Sequence, residues 1–431
     1  MYRKITQFLK SWKESAHRKP LIVQGARQVG KTYSILEFGR TNYENVAYFN
    51  FETDPGLNKT FDENISPDYL IPILSRIAGQ TIVKEKTLVV FDEIQLCERA
   101  LTSLKYFCED APEYHVIVAG SLLGVAVNRA KFSFPVGKVD IKTLYPMDIE
   151  EFMLACGESG LVEQIKDSFA SDRPLPSALH DFATKLYRQY LIVGGMPECV
   201  LQFIDTKDYI LVRHTQDTIL ASYLNDMSKY NNVNEIKKAR LAYDSVTVQL
   251  SKKNTRFQYK LIKKGGRASE FENAIEWLCL SGIVSQVYKV EQVKKPLENY
   301  RDIDSFKIYV SDLGLLCAKN DMAPDDILYM VDDINDFKGG MAENYVNVQL
   351  TASGYKTYYW ESARGAEIDF VIQRNGHLIP IEVKSADNTR AKSLKIYMET
   401  YNPAYAIKLS AKNFGFEDNK KIVPLYAAFC I

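Results

Sequence analysis

Eight consecutive residues constrain this chain more than anything else in it. Gly25-Ala26-Arg27-Gln28-Val29-Gly30-Lys31-Thr32 fits the pattern G-x-x-x-x-G-K-[ST], directly after the apolar run Leu21 to Gln24 and before a helical pattern from Thr32 to Phe38. A strand-to-helix turn of this kind lets backbone N–H groups wrap a phosphate, with Lys31 reaching the outer phosphate oxygens and the Thr32 hydroxyl placed to ligate Mg²⁺. The helix N-terminus adds its partial positive charge. Gly25, Ala26, Arg27, Gln28, Val29, Gly30, Lys31 and Thr32 are therefore candidate nucleotide-binding positions, and Lys31 is also a candidate catalytic residue.

A second run points the same way. Thr87-Leu88-Val89-Val90-Phe91-Asp92-Glu93 is apolar and ends in two acids. Asp92 is expected to join Thr32 in holding the metal, and Glu93 is the candidate base for an attacking water. Val116 to Ala119 leads to Gly120-Ser121, where Ser121 is either a sensor of the outermost phosphate or a plain turn serine. With Leu21 to Gln24, Val46 to Phe51 and Leu88 to Phe91, these short Val-, Ile- and aromatic-rich runs alternate with amphipathic stretches. The pattern predicts an α/β fold, a P-loop NTPase domain built on a covered parallel sheet.

The chain has 431 residues, 46% hydrophobic and 25% charged, enough for about two to four domains. That composition excludes a disordered, collagenous or coiled-coil protein. Fifty-four basic and 54 acidic side chains cancel, which gives no reason to expect a wholly basic surface. Seven cysteines form no Cys-x-x-Cys pair and read as reduced core thiols rather than a zinc site. Met1 to Lys19 lacks the apolar core of a signal peptide, and no later stretch has the roughly 18 uninterrupted apolar residues of a membrane span. A cytoplasmic protein with no membrane partner is expected.

Four segments follow: an ATPase-like core over 1–150, a helical lid over 151–228, a winged-helix region over 229–335 and a last domain over 336–431. The lid pattern breaks at Gly194-Gly195-Met196-Pro197. Residues 229–310 hold 16 lysines and arginines against 9 acids, and Lys252, Lys253, Arg256, Lys260, Lys263, Lys264 and Arg267 follow one another without an acid. Helices over Asn234 to Leu250, Phe257 to Lys264 and Ala268 to Leu280, with strands Ile283 to Val290 and Phe306 to Val310, read as a winged helix. Its basic face suits DNA phosphates, although a protein contact or a plain solvated face fits the same charges. Phe257 and Tyr259 read as core residues.

In the last segment a helix, Ala342 to Leu350, carries Glu343. Strand-like runs Lys356 to Trp360, Glu367 to Gln373 and Leu378 to Val383 follow, the last two joined by the turn Arg374-Asn375-Gly376-His377. Alternation puts Glu382 and Lys384 on one strand face, and the hairpin brings Asp369 alongside. Asp369 and Glu382 sharing a divalent ion beside Lys384 would make a phosphodiester-hydrolysing site. A nuclease-like fold that only binds, or surface acids without metal, are the alternatives.

The motif set from Lys19-Pro20 through Thr32, with Asn50-Phe51-Glu52, Phe91-Asp92-Glu93-Ile94-Gln95, Ala119-Gly120-Ser121 and Leu144-Tyr145-Pro146, resembles bacterial and archaeal AAA-type ATPases of the AAA_14 group that carry a C-terminal DUF4143 region. The resemblance implies ATP as substrate and Mg²⁺ as cofactor. It also likens Pro197 to a lid proline that touches the nucleotide base. Lys138 stands where many relatives have Gly-Arg, so either another arginine such as Arg129 serves as the finger or turnover is slow. Glu343, Asp369, Glu382 and Lys384 resemble the catalytic set of PD-(D/E)xK nucleases, with Ile368 in place of the proline before the aspartate. The combined expectation is a Mg²⁺-dependent ATPase coupled through a winged helix to a nuclease-like domain acting on DNA. The alternatives are an ATP-dependent switch or scaffold that binds a protein partner and cuts nothing, and a DNA-binding regulator gated by ATP. Oligomeric state stays open.

Overall fold

A computed structural model describes residues 1–121, 134–230, 233–251, 256–332, 335–385 and 392–431. The chain divides into two compact units, one of Met1–Tyr145 with Leu280–Gly282, the other of Pro146–Cys279 with Ile283–Ile431.

The first unit is built on β1 (Leu21–Gln24), β2 (Asn45–Asn50), β3 (Thr87–Asp92), β4 (His115–Gly120) and β5 (Asp140–Thr143). They form a parallel sheet in the order β2-β3-β4-β1-β5. Leu88, Val89, Val90 and Phe91 are all at 0% exposure, as expected for a strand covered on both faces, and each such side chain contributes about 1.5–3 kcal/mol. Phe49, Phe51, Phe61, Phe91 and Phe107 meet in one cluster, Phe61 and Phe91 edge to face at 5.6 Å. Parallel pairing puts the C-terminal ends of β1, β3 and β4 on one edge of this sheet, and the phosphate-loop motif, Asp92 and Ser121 all follow from those ends.

The second unit opens with helices. Asp148 caps the helix Ile149–Ala155, its Oδ1 accepting from Glu151 N at 2.9 Å while Glu151 Oε2 accepts from Asp148 N. The helix Ser177–Val193 stops at Gly194, whose φ of 76° lies in the left-handed region. A Cβ at Gly194 would sit 2.3 Å from Asp312 Oδ1, and one at Gly195 would sit 2.0 Å from Met147 O. The glycine pair is thus required by close packing as well as by the turn. Pro197 is the first residue of the following helix, Pro197–Thr206, where its missing N–H costs nothing.

An eight-stranded mixed sheet completes this unit: β6 (Val284–Val290), β7 (Arg301–Val310), β8 (Tyr358–Glu361), β9 (Glu367–Arg374), β10 (His377–Val383), β11 (Ala406–Ser410), β12 (Gly415–Glu417) and β13 (Lys420–Pro424), in the order β12-β13-β11-β10-β9-β8-β6-β7. The turn between β9 and β10 is the expected two-residue hairpin, with Asn375 and Gly376 both at positive φ, the signature of a type I′ turn.

Two expectations are corrected. The hairpin β6–β7, read as a wing, belongs to this sheet, because the free edge of β6 pairs with β8 through Tyr288↔Tyr358 and Val290↔Trp360. The expected helix over Phe257 to Lys264 is reduced to a 3-10 turn, Tyr259–Leu261, because Phe257 is drawn into the core, stacked on Phe306 at 5.4 Å. Among the described residues no helix is long and apolar enough to cross a membrane.

Candidate functional site

The phosphate loop has the backbone that its sequence demands. Gly25 has φ 147°, Gln28 φ 63° and Gly30 φ 88°, so the chain alternates hands and turns successive N–H groups toward one side. A Cβ at Gly25 would fall 2.1 Å from Leu144 O, which fixes that position as glycine. The Arg3 guanidinium donates to Val29 O at 2.8 Å and to Tyr145 O at 2.7 Å, tying the loop to the segment after β5. Lys31 opens the helix Lys31–Asn42 and is 7% exposed. Its ammonium donates to Gly25 O at 3.0 Å and Ala26 O at 2.7 Å. Burial pushes the Lys31 amine down to about 8, against the pull of Glu93 and Asp92. A polyphosphate at this ammonium would favour its charged form.

Asp92 is the hub of the opposite wall. Its Oδ2 accepts from the Thr32 hydroxyl at 2.7 Å and from Tyr48 OH at 2.9 Å, and its Oδ1 accepts from Glu93 N at 3.0 Å. Asn50 Nδ2 in turn donates to Tyr48 OH at 3.1 Å. Glu93 sits at φ 51°, off the end of β3; its Oε2 is 3.5 Å from the Ser121 hydroxyl and accepts from Gln95 Nε2. A hydroxyl at a helix N-terminus and a buried carboxylate that meet within hydrogen-bond distance, beside a lysine, fit a Mg²⁺ ion held partly through water. Lys31, Thr32, Asp92, Glu93 and Ser121 are therefore gathered in one place within the first unit. Lys138 is paired with Glu109 at 2.8 Å, and Arg129 lies outside the described residues, as do Lys252 and Lys253 of the basic run.

The second unit holds a separate cavity of about 340 Å³ lined among others by Arg256, Lys307, Tyr309, Glu343, Asp369 and Lys384. Glu343 comes from the helix Asn335–Ala352 and Asp369 from β9, while Lys384 follows β10. Asp369 Oδ2 accepts from Val383 N at 2.7 Å, and Lys384 pairs with Glu382 at 2.7 Å. Glu382 is 2% exposed, and its Oε2 has no hydrogen-bond partner. Burial, reinforced by Glu343, pushes the Asp369 carboxyl up to about 8, with Lys307 and Lys384 opposing. Three of the four expected residues share the cavity, with Glu382 next to Lys384.

Lys307, on β7, was not foreseen. Its ammonium lies 3.1 Å from Glu343 Oε2 and 2.5 Å from Glu367 Oε1, and 5.3 Å from the centre of the Tyr359 ring. Tyr309 OH also donates to Glu343 Oε2, at 3.1 Å. Burial would lower the Lys307 amine, but Glu343, Tyr309 and Glu367 outweigh it and hold the amine well above the usual lysine range. Among the described residues no three His, Cys, Asp or Glu side chains are grouped to hold a metal ion. With a lysine bound to two of the carboxylates, this donor set does not fit the divalent ion expected at Asp369 and Glu382. Nothing in the sequence marked Lys307, since a lysine in a strand ordinarily reads as solvent-facing. Tyr48 was missed because a tyrosine within an apolar strand run reads as core, whereas here it is exposed.

Residues 17–153 match the AAA_14 family model, described as an AAA domain. Residues 184–326 match DUF8612 and residues 338–428 match DUF4143, both described as domains of unknown function. None of the curated proteins compared matches the chain. Among solved structures it is similar to the Walker-type ATPase PABY2304 of Pyrococcus abyssi, at 13% identity and a TM-score of 0.44 over 73% of this chain and 94% of that one. It is also similar to the Aeropyrum pernix ORC2 protein in ADPNP-ADP complexes, at 11% identity and a TM-score of 0.34 over 77% of this chain and 91% of that one. The phosphate loop and the Asp92 hub both lie within the stretch, residues 17–153, that matches the AAA domain model, and residues 338–428 match the DUF4143 model.

Proposed function

We propose that the first unit binds and hydrolyses ATP with Mg²⁺. The observation that carries this reading is the meeting of Thr32, Asp92 and Glu93 beside the Lys31 ammonium. Lys31, now held by the carbonyls of Gly25 and Ala26, would turn to the β and γ oxygens, and the loop N–H groups would hold the β-phosphate. Thr32 and Asp92 would hold Mg²⁺, whose charge would offset that of the phosphates. Glu93 would take the proton of the attacking water, with Ser121 and Gln95 restraining its carboxylate. In purified protein, Lys31→Ala should abolish ATP turnover; turnover at the wild-type rate would refute the assignment.

For the second unit we favour a switch or scaffold over a nuclease. The convergence of Glu343, Asp369 and Lys384 supports a PD-(D/E)xK-like arrangement, but the Lys307 ammonium between Glu343 and Glu367 opposes a catalytic metal there. Incubation of mixed DNA and RNA with Mg²⁺ or Mn²⁺ separates the two: no cleavage is expected, and cleavage lost in both Asp369→Ala and Lys384→Ala would restore the nuclease reading. DNA is one candidate partner, through the exposed Lys260, Lys263, Lys264 and Arg267; a protein is the other.

A further inference from the structure

Four carboxylates, Glu343, Glu367, Asp369 and Glu382, lie in or beside the cavity of the second unit, and two lysines, Lys307 and Lys384, stand among them. Lys384 answers Glu382. Lys307 answers Glu343 and Glu367 together, from a strand outside the E-x-K hairpin. We propose that Lys307 is the resident cation of this cavity, standing in place of a divalent ion, so that the native chain binds no metal there and a metal site appears when the lysine is removed.

The geometry carries this in three ways. Lys307 is only 8% exposed at its side chain, so its charge is set among these partners rather than in solvent. A divalent ion held by carboxylates needs oxygens at about 2.0–2.6 Å, and the oxygens it would draw on, Glu343 Oε2 and Glu367 Oε1, are the two that the ammonium occupies. Asp369 Oδ2 is committed to Val383 N–H, and Glu382 Oε2 is buried without a hydrogen-bond partner. A dication placed beside two ammonium groups would meet like-charge repulsion in a poorly solvated site. Take away Lys307, and Glu343, Glu367 and Asp369 lose their largest shared positive charge while keeping backbone positions that bring them to one cavity.

The test uses the full chain in an Asp92→Asn background, so that the phosphate-loop carboxylate adds nothing to the count, with Mn²⁺ alone as the probe and no nucleotide. Bound Mn²⁺ is counted by electron paramagnetic resonance, and thermal unfolding is followed with and without millimolar Mn²⁺. The Lys307 wild type should bind no Mn²⁺ that depends on Asp369 and should melt at the same temperature either way. Lys307→Met and the milder Lys307→Gln should each take up one Mn²⁺ and melt several degrees higher with it, since a ligand that binds only the folded state stabilises it. Adding Asp369→Asn should remove both effects. A variant that is unfolded alone but folds with Mn²⁺ also supports the proposal, whereas variants that bind none, or stay unfolded with it, overturn it. So does Mn²⁺ bound by the Lys307 wild type and lost with Asp369→Asn. The outcome is independent of the ATP reading, which stands or falls on Lys31.

Discussion

The Thr32 hydroxyl donates to Asp92 Oδ2 at 2.7 Å, joining the first turn of the helix after the phosphate loop to the end of β3. Tyr48 OH donates to the same oxygen at 2.9 Å, so the orientation of this carboxylate is set by two hydroxyls from two different elements. Removing one should loosen Asp92 without touching the loop. Tyr48→Phe is expected to cost about 1 kcal/mol of that orientation, raising the Mg²⁺ concentration for half-maximal ATPase activity roughly fivefold. The KM for ATP at saturating Mg²⁺ should stay unchanged, and a Mg²⁺ titration of turnover reads both quantities.

Gly25 has no room for a side chain. With Leu144 O 2.1 Å from the position of a Cβ and φ at 147°, Gly25→Ala must displace either the loop or the segment after β5. A strain of about 2 kcal/mol predicts a loss of ATP affinity of roughly thirtyfold, measurable by calorimetric titration with a non-hydrolysable analogue. Gly137→Ala, where no atom lies within 4 Å of the added Cβ, is the comparison for a positive-φ glycine away from the loop and should leave affinity unchanged.

Much of the first unit was legible because its central strands β1, β3 and β4 are buried on both faces and β2 carries a bounded apolar run. Leu21–Gln24 appears with the expected bounds, and β2, β3 and β4 lie within a residue or so of their apolar runs. The strand β5 escaped notice because Asp140-Ile141-Lys142-Thr143 has no apolar run; its pairing with β1 supplies what its side chains do not. In the second unit the sequence indicates a hairpin at β6–β7 but not what its free edge pairs with, and that edge took β8 instead of standing alone as a wing. Strand alternation and the hairpin brought Asp369, Glu382 and Lys384 together, the resemblance added Glu343 from a helix, and Glu367 was not singled out. Lys307 was invisible to the same rule, because alternation says which face a side chain takes and not whether that face is later covered.

The Asp369 carboxyl, pushed up to about 8 from an ordinary value near 3.8, makes the stability of the second unit depend on pH. A raised value means that the folded state holds the proton more tightly than the unfolded one. That contribution is fully present below about pH 4 and is lost as pH rises through about 8. Asp369→Asn should flatten the pH profile of denaturant unfolding between those limits, and an unchanged slope would show that the proton is not held at Asp369.

If DNA is the partner, the exposed Lys260, Lys263 and Lys264 should each neutralise a backbone phosphate. Replacing all three by uncharged residues should reduce the slope of log affinity against log salt by about 1 for each phosphate left without its lysine, uniformly across sequences. A flat salt dependence in the native chain would leave a protein partner as the surviving reading.

In the proposed mechanism of ATP hydrolysis Glu93 is the base. Single-turnover hydrolysis by Glu93→Gln, measured beside equilibrium ATP binding, tests it most directly. Binding within a fewfold of the native protein, together with a rate lower by about 100-fold or more, is the predicted result; hydrolysis at the native rate would contradict it.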